Sequence, residues 1–303
     1  MQIPKDVLAK LRRIEIITAR IANAQLAGAY HSVFKGIGIA FSEVRQYQPG
    51  DDVRRIDWNV TARMRDAYVK LFVEEREMTV MLLVDASGSL LFGSCEESKR
   101  EVAAQVAALL AFSAIKNNDR VGLIIFTDHV EKFIPPKKGK KHVLGVIQEL
   151  LTFTPSSRRT DLRAALDFLG RVQKRKSVAF LVSDFLRPAG AGAALSDLEL
   201  AFRVAARRHD LVPIAVRDPL EEELPALGLC ALEDLESGEI VEFDTYSRGR
   251  KLDAEAVRRA RAEREQLWRR LKLDSINVST DPRQPYVNAL IAFFRQREQR
   301  LSH

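Results

Sequence analysis

The chain has 303 residues, 46% of them hydrophobic, and 48 Lys and Arg against 41 Asp and Glu give a net charge of +7. That size and apolar fraction support a full core without staples, and Cys95 and Cys230, far apart with no metal or redox spacing, read as free thiols of a reducing compartment. The longest apolar stretches fall short of a membrane span and MQIPKDVLAK lacks a signal-peptide core, so a cytoplasmic protein is expected, with peripheral membrane contact left open.

Residues 4–26 read as an amphipathic helix, with Val7, Leu11, Ile14 and Ile21 on one face. From Gly28 to Glu77 two alternating segments, SEVRQY and YVKLFVEE, flank the turn-rich QPGDDVRRIDWN, which predicts a small β-rich unit. Pro49-Gly50 fits the centre of a type II turn. Asp51, Asp52, Arg54, Arg55 and Asp57 are expected to form an ion network that pins this loop to the following domain, with the Trp58 ring buried at the joint.

From residue 78 strands and helices alternate. TVMLLVD, RVGLIIFT, EKFIPP, SVAFLVSD and LVPIAV read as strands; residues 96–116, 140–151, TDLRAALDFLGRV and 194–208 read as helices. EEELPALGLCALEDLESGEIVEFDT predicts a β-hairpin around Ser237-Gly238; a charged helix at 253–272, the strand DSINVST and a helix at 285–297 close the chain. The predicted organisation is a helix and small β-rich unit at 1–77, then an α/β domain at 78–303 with an insertion at about 218–250. Continuously apolar strands alternating with helices imply a mostly parallel sheet covered on both faces.

Ligands of open α/β sheets sit at the carboxyl ends of the strands. The first strand of the domain ends at Asp85, with Ser87 and Ser89 beyond it; SVAFLVSD ends at Ser183-Asp184; TDLRAALDFL opens at Thr160. These are hard oxygen donors without His or Cys, a set suited to Mg²⁺ or Mn²⁺ rather than Zn²⁺. With few charges in the set, a bound dication would keep positive character and accept a carboxylate from another molecule. The competing reading is local: Asp85 and the serines cap the next helix or make an Asx turn.

Residues 78–217, and onward to the C-terminus, resemble a von Willebrand factor A-type domain. Its metal-ion-dependent adhesion site is Asp-x-Ser-x-Ser, then a Thr on a later loop, then an Asp after a further strand; here these are Asp85, Ser87 and Ser89, then Thr160, then Asp184. The resemblance implies a bound Mg²⁺ or Mn²⁺, with the serines and threonine as ligands directly or through water and the aspartates acting largely through water. YQPGDDVRRIDWNVTAR (47–63) resembles the signature of the bacterial domain-of-unknown-function family fifty-eight, whose members carry such a domain and often accompany MoxR-type AAA+ ATPases. A departure is Arg158-Arg159-Thr160, where Gly-Gly-Thr is common: two cations beside the site either oppose a metal or reinforce capture of a carboxylate.

The resemblance implies a non-catalytic, metal-dependent protein-interaction module, an adaptor or partner of a MoxR-type ATPase. Two readings compete with it: a metal-dependent phosphoester hydrolase using the same rim, and a membrane-surface regulator. The basic runs Lys137, Lys138, Lys140, Lys141 and Arg171, Lys174, Arg175, Lys176 would serve the last. No Walker lysine loop, Gly-x-Ser-x-Gly or His-Glu-x-x-His occurs, and no aromatics interleave with the lysines as nucleic-acid binding would favour.

Overall fold

The computed structural model describes residues 30, 33, 39–64, 66–74, 77–186, 195–222, 225–226, 228–246 and 248–301. The helix expected over 4–26 lies outside them. Two compact units emerge, Phe34–Met78 and the rest of the chain, to which Tyr30 and Val33 belong.

In the smaller unit β1 (Ile39–Gln46) pairs antiparallel with β2 (Tyr68–Glu74). The predicted turn is present: the Asp51 amide donates to the Gln48 carbonyl at 3.0 Å, and Gly50 takes φ +109°. The expected ion network is not what the acidic residues make. Asp51 pairs with Arg45 at 2.7 Å, Asp52 caps the 3-10 turn Val53–Arg55, and Asp57 caps α1 (Trp58–Thr61) while lying 3.4 Å from Lys70. The Trp58 ring is 70% exposed rather than buried. Asp57 is the residue that turns under the helix start, because its carboxylate must reach the free amides there.

The larger unit is built on a six-stranded sheet of β3 (Thr79–Asp85), β4 (Arg120–Phe126), β5 (Val130–Lys137), β6 (Val178–Ser183), β7 (Asp210–Arg217) and β10 (Ile276–Ser279). Their order is β10-β7-β6-β3-β4-β5, all parallel except β5, which runs antiparallel on the edge. β3, β4, β6 and β7 are buried through most of their length, which is why their sequences do not alternate. One face, including Met81, Leu83, Phe126 and Leu181, packs with Leu166, Leu169 and Phe202 of α4 (Leu162–Val172) and α5 (Leu195–Arg208). The alternate residues Val80, Leu82 and Val84 turn to the other face, the side of α2 (Lys99–Lys116), which packs on α3 (Lys140–Thr152) and α8 (Tyr286–Leu301). α2 is apolar all round and largely buried. After β7 come α6 (Pro219–Glu222), then a separate hairpin of β8 (Leu229–Glu233) and β9 (Ile240–Asp244), then α7 (Arg248–Arg270). No helix among the described residues is long and apolar enough to cross a membrane.

This strand order places a topological switch at β3: the chain leaves it for β4 on one side and returns to β6 on the other. The crevice between their carboxyl ends is where such sheets bind ligands. Phe185, just past β6, sits in the left-handed region at φ +54°, held by Trp268 (ring centroids 5.2 Å) and by the hydrogen bond that its N–H donates to the Ser183 hydroxyl at 3.0 Å. A Cβ-bearing residue there costs on the order of 1–2 kcal/mol. Phe185→Ala is therefore expected to lose about 3 kcal/mol through the missing ring, and Phe185→Gly to lose about 1 kcal/mol less. Urea unfolding that ranks Gly below Ala would refute the strain.

Candidate functional site

The structure brings the five predicted residues to one rim. Asp85 ends β3 with 1% of its surface exposed; its Oδ1 accepts from the Ser87 amide at 2.9 Å and its Oδ2 from the Ser183 hydroxyl at 2.7 Å. Val84 is level with Val182 across β3 and β6, so Asp85 and Ser183 meet as neighbours in register. Ser87 is fully buried, and its hydroxyl lies 3.1 Å from that of Ser89.

The capping explanation of the two serines fails. Ser87 precedes a 3-10 turn, Gly88–Leu91, yet makes no side-chain cap bond, and α2 is capped by Ser98 through a reciprocal box with Glu101. The Asx contact of Asp85 with the Ser87 amide is real, but it serves to aim the loop. The Gly88 amide donates to the Arg158 carbonyl at 2.8 Å, which ties the serine loop to the loop carrying Thr160. Arg158 and Arg159 themselves are exposed, Arg158 lying 3.7 Å from Glu233. Asp161, not Thr160, caps α4, which leaves the Thr160 hydroxyl to donate to Glu236 Oε1 at 2.9 Å.

Asp184 follows β6 and is 3% exposed. Its Oδ1 accepts from the Leu186 amide at 3.0 Å, and its Oδ2 lies 2.6 Å from the ammonium of Lys99, the first residue of α2. Lys99 is itself 1% exposed and also pairs with Glu221 of α6, which Arg261 of α7 approaches at 3.7 Å. Burial alone would lower the Lys99 pKa, but the charges of Asp184 and Glu221 outweigh it and leave it raised. Asp85 forms no such ion pair among the described residues. Burial and then the neighbouring Asp184 charge push its carboxyl up to about 7.

Sequence reasoning missed three contributors. Lys99 and Glu221 read as an ordinary helix start and an acidic loop; no local pattern marks a lysine for burial. Glu236 lies in the inserted hairpin. Burial raises its pKa first, Asp184 adds to that, and the hydroxyls of Thr160 and Ser89 partly offset the rise. Its Oε2 is closed to solvent and accepts no hydrogen bond among the described residues.

Chemically the rim is a set of hard oxygens with too little positive charge. No group of three or more His, Cys, Asp and Glu residues suited to a metal occurs among the described residues. A hydroxyl-rich set is a different kind of site, one for a hard dication with waters retained. The paired serine hydroxyls, the uncompensated Asp85 and the orphan Glu236 oxygen all fit such an ion. Elsewhere, His129 lies 2.7 Å from Asp128 and 3.4 Å from the Ser156 hydroxyl, but that hydroxyl donates to Glu131 at 2.8 Å, so its proton faces away from the imidazole.

Residues 43–266 match the family described as protein of unknown function DUF58. "Uncharacterized protein Rv1480" of Mycobacterium tuberculosis is 35% identical over 237 residues, covering 78% of this chain and 73% of that protein. Among solved structures, an aerotolerance-related membrane protein from Bacteroides fragilis is similar over 74% of this chain and 99% of that one, with 16% identity and a TM-score of 0.47. The SpRpn10 VWA domain is similar over 72% of this chain and 94% of that one, with 12% identity and a TM-score of 0.39.

Two outcomes follow from the charges. Lys99→Met strands Asp184 and Glu221 and is expected to destabilise the protein by about 3–5 kcal/mol; adding Glu221→Gln should recover part of that loss in the same urea titration. For Asp85 the folded pKa exceeds the unfolded one, so its favourable contribution is complete below about pH 4 and is lost as pH rises through about 7. In EDTA, the Tm advantage of Asp85→Asn over wild type should therefore grow across that window and level off above it. A flat difference would show that Asp85 is not uncompensated.

Proposed function

This chain belongs to the family described as protein of unknown function DUF58, and we propose that its α/β unit is a non-catalytic protein-interaction module that docks partners at the rim between β3 and β6. The observation that carries this reading is the pair of serine hydroxyls, the buried Ser87 and the half-buried Ser89, 3.1 Å apart beside Asp85, that cap no helix among the described residues.

Asp85, Ser87, Ser89, Thr160 and Asp184 are the residues that would hold Mg²⁺ or Mn²⁺. The ion would supply a positive centre with coordination places left for a carboxylate from a partner. The chain's own groups do the rest. Ser183 and the Ser87 amide fix the Asp85 carboxylate, Lys99 neutralises Asp184, and the bond between Gly88 and Arg158 holds the two ligand loops together. Because Lys99 already answers Asp184, a dication at this rim retains net positive character, which favours recruiting an acidic side chain over a neutral one.

The partner we propose is a protein presenting Asp or Glu, with a MoxR-type AAA+ ATPase or its substrate as the first candidate, following the resemblance of residues 47–63. Isothermal titration should detect Mg²⁺ binding to wild type and none to Asp85→Ala or Ser87→Ala, with far-UV circular dichroism unchanged. Capture of the ATPase should need Mg²⁺ and vanish in EDTA and in both variants. Equal capture in Mg²⁺ and EDTA would remove the rim as the docking point.

A further inference from the structure

The tip of the β8–β9 hairpin lies on this rim, and it is fastened there. Asp234 stiffens the turn: its carboxylate accepts from the Glu236 amide at 2.8 Å, its carbonyl accepts from the Gly238 amide at 2.6 Å, and Gly238 takes the φ of +73° that the turn needs. The Leu235 carbonyl seats against Gly88 so closely that a Cβ on residue 88 would collide with it. Glu233 lies 3.7 Å from Arg158 on the neighbouring loop.

This fastening turns Glu236 inward. One oxygen takes the Thr160 hydroxyl at 2.9 Å; the other is shut off from solvent with no hydrogen-bond partner among the described residues. A buried acceptor left unsatisfied is destabilising, and more so if charged. An aliphatic residue at 236 would avoid that cost. A carboxylate aimed past Thr160 toward the serines makes sense when a cation completes it.

Resting on the docking reading above, we propose that Glu236 is an internal ligand: its carboxylate occupies in cis the coordination place that a partner's acidic side chain takes, and a partner docks by displacing the hairpin tip. The shape the rim holds is thus the shape it recognises, an acidic side chain at the apex of a tight turn with a backbone carbonyl set against Gly88. The small residue at 88 is part of that recognition, since only a residue without a Cβ lets a turn approach so near.

Mn²⁺ serves as the probe, read by titration calorimetry, by water-proton relaxation per bound ion, and by amide exchange of residues 234–239. Wild type should bind Mn²⁺ with slowed exchange at the hairpin tip. Glu236→Ala and Glu236→Gln should weaken Mn²⁺ roughly 10- to 100-fold, raise the relaxation enhancement because water takes the vacated place, and leave tip exchange indifferent to Mn²⁺. Gly88→Ala, which lifts the hairpin while keeping Glu236, should reproduce the relaxation change. If the Glu236 variants match wild type in affinity and relaxation while Ser87→Ala abolishes binding, the internal ligand is refuted and the metal-dependent rim stands. If wild type binds no Mn²⁺, both fall.

Discussion

Two carboxylates buried on adjacent strand ends, Asp85 and Asp184, set the terms for the surrounding structure. Each is nearly inaccessible to solvent, and the charge of Asp184 adds to burial in opposing ionisation of Asp85. A protein can offset such a pair by protonation, by an internal cation or by a bound one. Here Lys99 answers Asp184, while Asp85 has hydroxyl and amide donors in place of a cation. The asymmetry decides the chemistry of the rim. A second buried lysine would have produced a closed ion cluster, stable and inert. One lysine for two aspartates leaves a deficit of positive charge beside three hydroxyls.

The ion cluster also explains why the rim holds its shape. Lys99 begins α2, Asp184 follows β6, Glu221 lies in α6 and Arg261 in α7. These elements are distant in sequence, and the contacts tying them are among groups that would be costly to bury alone. Phe185 adds a strained backbone step next to Asp184, kept in place by Trp268 and by the Arg264 guanidinium, which lies 5.0 Å from the Trp268 ring and donates to the Asp184 carbonyl. Burial, more than the nearby Arg217 and Arg261, pulls the Arg264 pKa down to about 10. Strain persists only where the neighbours over-determine it, and here they do so from α7 and from the end of β6.

The sheet was legible in the sequence because buried parallel strands are apolar runs: TVMLLVD, RVGLIIF and VAFLVS became β3, β4 and β6 with ends within a residue or two of those expected. The rim followed from the same pattern, since Asp85 and Ser183-Asp184 are the first polar residues after those runs. What depended on side-chain placement was less legible. The acidic residues of 47–63 looked like a network, yet Asp52 and Asp57 are spent on capping free amides nearby, a local demand that outranks distant ion pairs. Lys99 was invisible because burial of a lysine depends on two carboxylates that lie 85 and 122 residues away. Glu236 was invisible for a similar reason: a Ser-Gly turn predicts a hairpin but not where its tip rests.

That resting place is less accidental than it looks. Connections leaving the carboxyl ends of the strands emerge on the ligand-binding edge of the sheet. The segment between β7 and β10 departs from that edge, so a hairpin inserted there starts beside the rim. To settle on it the hairpin needs a place for its backbone to approach and a polar group for its tip to satisfy. Gly88 provides the first and the Thr160 hydroxyl the second. The same two features make a site for a turn presented by another molecule. An insertion that satisfies a docking rim from within must compete with whatever docks from without, and the strength of that competition depends on how firmly Asp234 and Arg158 hold the hairpin down.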